Sequence, residues 1–317
     1  MNDLEPQLAD AFGAGRLRRD VPLAPYTTFG VGGPADLFFE PRTSDETITA
    51  LRLAHAAGVP VTVLGGGSNV LVSDSGVRGL VIHPRGGTIT SLGPSRVRAD
   101  AAVTINGLVR WTIMHGAAGL EAWAGTPGTV GGAVFGNAHF GGRVIGDVIV
   151  EVRLAARDGT TSDCPAAAMA FGYDRSRLQD TGEVLLSATF RAEPGDPSAL
   201  RRTARESLAY RKRTQPLDVP SAGCVFQNPQ PDRDVVPDGI PWSAGALVDR
   251  AGLKGSASGG ARVSTTHGNF IVTDGRSTAK DIRRLIERCR RGVRARFGVE
   301  LRDEIVYLGE FDVDTAD

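Results

Sequence analysis

The sequence of 317 residues predicts a fold that mixes helices with strands and is divided into two or three domains. A typical domain takes about 100 to 200 residues, so the chain is long enough for two or three hydrophobic cores. The first part reads as strand, helix and strand, the middle part as strands joined by glycine turns, and the last third as short strands alternating with helices. These three patterns indicate a mixed architecture.

The first part begins with "ADLFFEP", which predicts a strand ending at Pro41. The segment "TSDETITALRLAHAAG" predicts a helix, in which Thr43 and Glu46 form a capping box and Gly58 closes the helix. "VPVTVL" predicts a buried strand that leads into "GGGSN", Gly65 to Asn69. The residues after this turn alternate like strands, whereas a doubly wound dinucleotide fold opens a helix directly after its glycines. The sequence therefore argues against that fold.

The middle part, from Val97 to about Arg191, predicts mostly strands, with one helix in "INGLVRWTIMHG". A change of composition at "RAEPGDPS" predicts a domain boundary before the helical pattern of "SALRRTARESLAYRKR". The clearest helix of the last third is "STAKDIRRLIERCRRGVRARFG", with Ser277 as N-cap and Gly298 at its end. Its apolar face comprises Ile282, Leu285, Ile286, Cys289, Val293 and Phe297. Cys289 is therefore expected in a core.

The charge and cysteine content exclude several classes of partner. The 36 basic and 36 acidic residues balance, so no electrostatic feature favours nucleic acid or an anionic membrane. Three cysteines without CxxC spacing indicate neither a disulfide framework nor a metal site, and the thiols are expected to be reduced. No window approaches the roughly 18 apolar residues of a membrane span, and the N-terminus lacks a signal-like apolar segment. We expect a cytoplasmic protein, with a monomer slightly favoured.

The 41 glycines are concentrated in short runs. Successive backbone N–H groups of a glycine turn can converge on an anion, because glycine reaches positive φ without a steric penalty. "LGGGSN" has this form, and "GTPGTVGGA", Gly125 to Ala133, offers a second such surface. Each cluster alone would be interpreted as a tight turn. Two clusters on either side of a β-rich segment favour a dinucleotide.

Polar residues suggest further binding groups. "AFGYDRSRLQ" places Tyr173, Arg175 and Ser176 together, which suits a carboxylate or phosphate but is equally typical of a solvated turn. Glu304 begins an apolar strand, where it could act as a general acid or stabilise developing charge. His267 is more often a hydrogen-bonded structural residue at such a position.

Cys224 lies in "SAGCVFQNP", among small and polar residues rather than in an apolar pattern. A thiol, with a reference pKa of about 8.5, could serve as a proton donor. As a nucleophile it would need a partner that favours the thiolate, and Lys212, Arg213 and His267 are candidates. The residues alone leave both roles open.

Six motifs in this order resemble one enzyme family. They are "YTTFGVGGPAD", "LGGGSNVLVSD", "AGTPGTVGGAVFGNA", "SAGCVFQNP", "AGLKG…GGARVS…HGNFIV" and "VELRDEIVYLG". The sequence from about Pro22 to Gly309 resembles the UDP-N-acetylenolpyruvoylglucosamine reductases, which are FAD enzymes of peptidoglycan precursor synthesis. It looks like the shorter subtype of this family.

The resemblance implies an α+β protein with an FAD-binding fold of the vanillyl-alcohol-oxidase type. Two subdomains, residues 1–85 and 86–195, would hold the FAD, and a substrate domain would follow at residues 196–317. The FAD would be non-covalent, because "GGGSN" contains no histidine for a covalent link. The residues assigned to the cofactor are Gly65, Gly66, Gly67, Ser68, Asn69, Gly125, Thr126, Pro127, Gly128, Thr129, Gly131, Gly132, Ala133, Asn137 and Ala138.

The resemblance also implies the reaction. NADPH would reduce FAD, and hydride would then pass to C3 of the enolpyruvyl group of UDP-N-acetylglucosamine enolpyruvate, giving UDP-N-acetylmuramate. Cys224 stands where the family has a proton-donating serine, and Glu304 matches an acid that polarises the substrate carboxylate. The family's enolate-holding arginine belongs to a Tyr-Arg-x-Ser motif, which reads Tyr173-Asp174-Arg175-Ser176 here, so the role is assigned to the displaced Arg175.

The residues assigned to the substrate are Tyr173, Lys212, Asn228, Lys254 and His267. Lys212 would replace a family lysine whose position is occupied by Thr214. Two rival functions stay open: a flavin oxidase of the same fold, and a nucleotide-binding regulator that has lost catalysis. The displaced arginine and the cysteine in place of serine are the reasons to keep the second.

Overall fold

A computed structural model of the protein describes residues 3–311 and divides into two compact units. Unit 1 comprises the residues up to Arg19, Leu37–Gly66 and Gly79–Tyr210. Unit 2 comprises Asp20–Asp36, Gly67–Arg78 and the residues from Arg211 onward. Both contain helices and strands, which confirms the predicted α+β class. The three predicted domains, 1–85, 86–195 and 196–317, stay a prediction.

The regular elements alternate along the whole described chain. The α-helices are α1 Leu4–Phe12, α2 Ser44–Ala56, α3 Ile105–Met114, α4 Val130–Phe135, α5 Leu178–Thr181, α6 Pro197–Thr214, α7 Ala244–Arg250 and α8 Ala279–Phe297. The strands up to Ala118 are β1 Leu17–Pro22, β2 Pro34–Phe39, β3 Val61–Val63, β4 Val70–Val72, β5 Val77–Ile82, β6 Ile89–Ser91, β7 Arg96–Asp100 and β8 Ala117–Ala118. The others are β9 His139–Phe140, β10 Arg143–Val144, β11 Ile149–Ala155, β12 Thr161–Pro165, β13 Val184–Arg191, β14 Glu193–Pro194, β15 Ala257–Ser258, β16 Ala261–Val263, β17 Ile271–Thr273 and β18 Val306–Leu308.

Unit 1 is built on an antiparallel sheet of order β12-β11-β13-β7-β6. The central strand β13 is buried along all but its last residue, so both faces of the sheet are covered at this strand. A second sheet contains β3 paired in parallel with β5, Val61 opposite Leu80. The glycine turn after β3 leads to β4 and β5 rather than to a helix, as the alternating sequence predicted.

The predicted cap of α2 is only half correct. Thr43 accepts a hydrogen bond from the Glu46 N–H at 3.1 Å, as an N-cap does. The Glu46 carboxylate, however, accepts from the Arg42 N–H at 2.7 Å and forms an ion pair with Arg16. The guanidinium of Arg16 therefore engages the carboxylate that would have completed a capping box.

Unit 2 contains the antiparallel sheet β15-β16-β17 and the parallel pair β4 and β18. Helix α8 packs its apolar face into the core of this unit, and Cys289 is buried there as expected. Burial raises the pKa of the Cys289 thiol to about 12, so the group is inert. The predicted N-cap Ser277 is wrong by one residue: Thr278 caps α8 and forms a complete capping box with Asp281. No helix among residues 3–311 is both long and apolar enough to cross a bilayer.

Candidate cofactor and catalytic sites

The two glycine turns of the sequence meet in unit 1. A Cβ atom on Gly66 would lie 2.6 Å from the Cα atom of Gly128, and one on Gly65 would lie 2.8 Å from Oγ1 of Thr129. Such distances are shorter than real side chains tolerate, so glycine at position 66 allows the two backbones to touch. Gly125 and Gly128 also have positive φ angles of 83° and 97°. The two predicted anion-binding surfaces thus form one backbone site.

These turns line a cavity of about 570 Å³ in unit 1, within the range of small-molecule sites. Its wall also contains His83, Arg85 and the indole of Trp111. The His83 ring lies 2.9 Å from the Leu64 carbonyl through Nδ1, and burial lowers the pKa of His83. Backbone N–H groups and a guanidinium suit phosphate, and an indole suits a flat ring system. The residues present therefore fit a dinucleotide such as FAD, and the sequence pattern did not reveal these three side chains.

The second half of the first glycine turn belongs to unit 2. Gly67 has φ of 61°, and a Cβ there would lie 2.0 Å from the Tyr26 carbonyl oxygen, so the position requires glycine. The Asn69 side-chain amide donates to the Glu304 carbonyl at 3.0 Å, and the Asn69 carbonyl accepts from the Val306 N–H at 2.9 Å. Asn69, predicted for the cofactor, therefore holds the main chain that carries Glu304.

Cys224 and Glu304 lie on neighbouring main-chain segments of unit 2. The Glu304 N–H donates to the carbonyl of Val225 at 2.8 Å, directly after Cys224. The Val225 N–H donates to the Asn269 carbonyl at 2.9 Å, which fixes the loop from its other side. Two candidates 80 positions apart in the sequence are thereby brought together by backbone hydrogen bonds.

Arg211 is a site residue that the sequence interpretation missed. Its side chain is buried, with 6% relative exposure, and it lies close enough to Cys224 for their charges to interact. Burial lowers the pKa of Arg211 to about 10, and the Cys224 thiolate opposes this shift. The cations that the sequence suggested in this run, Lys212 and Arg213, are its exposed neighbours. Helical phase could have found Arg211, because it follows the inward residues Leu200, Ala204 and Ser207 at spacings of four, three and four.

The predicted substrate residues of unit 2 lie in ordinary structural contacts. The Asn228 side-chain oxygen accepts from the N–H of Ala244 at the start of α7, at 3.0 Å. Lys254 lies 3.3 Å from an Asp249 carboxylate oxygen. Burial lowers the pKa of His267, and the nearby Lys254 charge acts in the same direction. Their assignment to substrate stays a prediction.

The predicted residues of unit 1 after the second glycine turn are held by backbone contacts. Asn137 is buried with φ of 43°, and its side chain bonds the Gly146 N–H at 2.9 Å and the Gly172 carbonyl at 2.8 Å. Ala138 donates its N–H to the Ala133 carbonyl at 2.8 Å. Tyr173 is half-buried and lies beside the ring of His139, with centroids 5.2 Å apart.

Arg175 lies in a turn rather than in a strand. Its guanidinium contacts both carboxylate oxygens of Asp180 at 2.8 Å, and its side chain is 60% exposed. The one-residue displacement noted in the sequence therefore sets this side chain against an acidic partner on the surface of unit 1. The catalytic assignment of Arg175 stays a prediction.

Two sequence profiles match separate parts of the chain. Residues 35–165 match the profile described as "FAD binding domain", which includes the two glycine turns. Residues 215–308 match "UDP-N-acetylenolpyruvoylglucosamine reductase, C-terminal domain", which includes Cys224 and Glu304. With its glycine-lined cavity, the protein is an FAD-dependent oxidoreductase.

Curated relatives extend over almost the whole chain. A UDP-N-acetylenolpyruvoylglucosamine reductase of Synechococcus sp. (strain JA-3-3Ab) is 40% identical over 301 residues, which cover 94% of this chain and 93% of the relative. One of Rubrobacter xylanophilus is 42% identical over 296 residues, covering 92% and 95%. The crystal structure of such a reductase from Thermus caldophilus is 33% identical with a TM-score of 0.77, covering 92% of this chain and 100% of that one. The chain belongs to the UDP-N-acetylenolpyruvoylglucosamine reductase family, as its motifs predicted.

Gly66→Ala tests the contact between the glycine turns. We expect about tenfold weaker FAD binding, because a Cβ 2.6 Å from Gly128 forces the two backbones apart. Flavin content after purification and titration of the apoprotein with FAD would measure the effect. Gly15→Ala is the control, since a Cβ there meets nothing within 4 Å. Unchanged FAD affinity in Gly66→Ala would contradict the role of this close approach.

Proposed function

We propose that the protein catalyses the NADPH-dependent reduction of UDP-N-acetylglucosamine enolpyruvate to UDP-N-acetylmuramate, in the cytoplasm, for peptidoglycan precursor synthesis. The observation that carries the proposal is the pairing of Cys224 with Glu304 on hydrogen-bonded segments of a chain of this family. One group can supply a proton and the other can polarise a carboxylate, which are the two tasks that reduction of an enolpyruvyl group requires.

The cofactor would be held by the glycine turns. Gly65, Gly66, Gly128 and Thr129 line the cavity of unit 1, where a glycine turn can offer N–H groups to a phosphate, and the rest of the segment Gly125 to Ala133 belongs to the proposed cofactor contacts. The chemistry that FAD would supply there is the transfer of hydride from NADPH to C3 of the enolpyruvyl group. The predicted contacts of Gly67, Ser68, Asn69, Asn137 and Ala138 belong to this proposal.

Cys224 would provide the proton. Addition of hydride to C3 leaves an electron pair that is delocalised from C2 into the substrate carboxylate. The thiol gives its proton to C2, which leaves a thiolate that later takes a proton from water. Arg211 would stabilise this thiolate, because its guanidinium lies close enough to Cys224 for the two charges to attract.

Glu304 would act on the substrate carboxylate. Its main chain is fixed by Asn69 and Val225, so its side chain projects from a defined point. Tyr173, Lys212, Asn228, Lys254 and His267 are the proposed binding residues for the rest of the nucleotide sugar. Arg175 is not given a step, because its guanidinium engages Asp180.

The test is direct. The purified protein is expected to be yellow and to oxidise NADPH in repeated turnovers only when UDP-N-acetylglucosamine enolpyruvate is added, with one UDP-N-acetylmuramate formed for each NADPH. Mass spectrometry of the product and absorbance at 340 nm would measure this ratio. Reoxidation by oxygen without any enolpyruvyl compound would instead indicate a flavin oxidase. FAD or nucleotide binding with no turnover under anaerobic conditions would indicate a regulator.

A further inference from the structure

A tight turn in unit 1 carries Asp174. Gly172 and Arg175 exchange backbone hydrogen bonds at 3.0 and 3.3 Å, so Tyr173 and Asp174 occupy the corner. Asp174 has φ of 54°, in the left-handed region that aspartate tolerates better than most residues. Asp174 occupies the position at which the family's Tyr-Arg-x-Ser motif has its arginine.

The corner is fixed by side chains around it. The Asn137 amide donates to the Gly172 carbonyl at 2.8 Å, and the Gln179 amide donates to the Asp174 carbonyl at 2.9 Å. Ser176, which follows the turn and is fully buried, donates to the Phe135 carbonyl at 2.8 Å. Hydrogen bonds at three points leave Asp174 little freedom, so its carboxylate is aimed in one direction.

This carboxylate meets the imidazole of His139. Nδ1 of His139 lies 2.9 Å from Oδ1 of Asp174, whose side chain is only 8% exposed. An ionised carboxylate accepts hydrogen bonds only, so Nδ1 carries the proton and donates it. The His139 side chain is 31% exposed, so the ring is not enclosed on all sides. The ring is therefore oriented from one side and available to a ligand from the other.

The Asp174 carboxylate is engaged through one of its two oxygens. Its second oxygen, Oδ2, is buried and has no hydrogen-bond partner among the described residues. A buried carboxylate is costly unless it is hydrogen-bonded, and the contact with His139 supplies such a bond. The next residue, Arg175, does not serve Asp174, because its guanidinium donates to the carboxylate of Asp180. The imidazole of His139 is thus the basic group that this structure sets on the Asp174 carboxylate.

We propose that His139, oriented by Asp174, donates a hydrogen bond from Nε2 to the carboxylate of the enolpyruvyl substrate and thereby replaces the arginine of the Tyr-Arg-x-Ser motif. The proposal rests on the proposed function. The location of His139 agrees with the proposed function. His139 directly follows Asn137 and Ala138, which are proposed cofactor residues, and its ring lies beside that of Tyr173, a proposed substrate residue. His139 would touch the substrate, and Asp174 is a positioning residue.

The test separates the two half-reactions by anaerobic stopped flow at the flavin absorbance. In His139→Gln, reoxidation of the reduced flavin by the enolpyruvyl substrate is expected to be about 100-fold slower, while flavin reduction by NADPH stays within about twofold of wild type. His55→Gln is the matched control, since His55 is exposed at the end of α2. Equal flavin content and melting temperature would show that the variants are folded.

Asp174→Asn tests the positioning role. The amide oxygen can still accept from Nδ1 but carries no charge, so we expect about tenfold slower reoxidation without a change in NADPH reduction or melting temperature. Arg175→Ala is compared in the same assay. A large loss in Arg175→Ala with His139→Gln unaffected would overturn the inference and return the role to Arg175. Wild-type protein that does not reduce the enolpyruvyl substrate would instead refute the proposed function, so the two failures are distinguishable.

Discussion

Replacement of Cys224 with alanine is expected to slow turnover of the enolpyruvyl substrate by about 100-fold to 10,000-fold, the range that a positioned general acid contributes. Reduction of bound FAD by NADPH should continue at the wild-type rate, because that half-reaction moves a hydride and needs no proton at C2. The defect should therefore appear only in the second half-reaction. Stopped-flow measurement of each half-reaction would show this separation.

Cys224→Ser distinguishes a proton donor from a covalent nucleophile. A hydroxyl can donate a proton at this position, so the serine variant should retain much of the activity. Cys164→Ala, which removes a buried thiol from strand β12, controls for a general effect of losing a thiol. Wild-type turnover in Cys224→Ala would reject the proton-donor role. A covalent adduct between the Cys224 sulfur and the substrate, detected by mass spectrometry, would instead favour the nucleophile.

Local sequence patterns predicted what depends on neighbouring residues. The glycine turns follow from steric demands at single positions, such as Gly67 against the Tyr26 carbonyl, and α8 follows from its apolar period. The order of the motifs predicted the family and, through it, the candidate cofactor and substrate residues. Hydrophobic periodicity also predicted the core position of Cys289 correctly.

Contacts between distant residues could not be predicted in this way. Arg16 lies 30 positions from Glu46, yet its guanidinium takes the carboxylate that the local pattern assigned to a capping box. His139 and Asp174 are likewise far apart in sequence, and only the hairpin of β9 and β10 and the corner turn bring them together. At the start of α8, Ser277 and Thr278 have equal chemistry for capping, so only the backbone geometry chooses between them.

Arg211→Met is expected to lower turnover about 100-fold while leaving the melting temperature unchanged or higher. The loss follows from removing the charge that attracts the Cys224 thiolate, an effect of the size measured for single electrostatic groups in active sites. The retained stability of Arg211→Met follows from removing a buried charge. Because burial lowers the pKa of Arg211 to about 10, folding disfavours its charged form by about 3 kcal/mol, and methionine has no charge to bury.

The free-energy cost of burying the Arg211 charge depends on pH. The folded-state pKa lies below the unfolded one, so the cost is fully present at pH 7 and is relieved only above pH 10. Steady-state kinetics and thermal unfolding at pH 7 would therefore measure both effects, with Arg205→Met, exposed on the same helix, as the control. A variant that loses activity and stability together would show that Arg211 serves packing. Since a merely structural arginine cannot lower turnover while sparing the fold, the combination of lost turnover and retained stability identifies Arg211 as a functional cation.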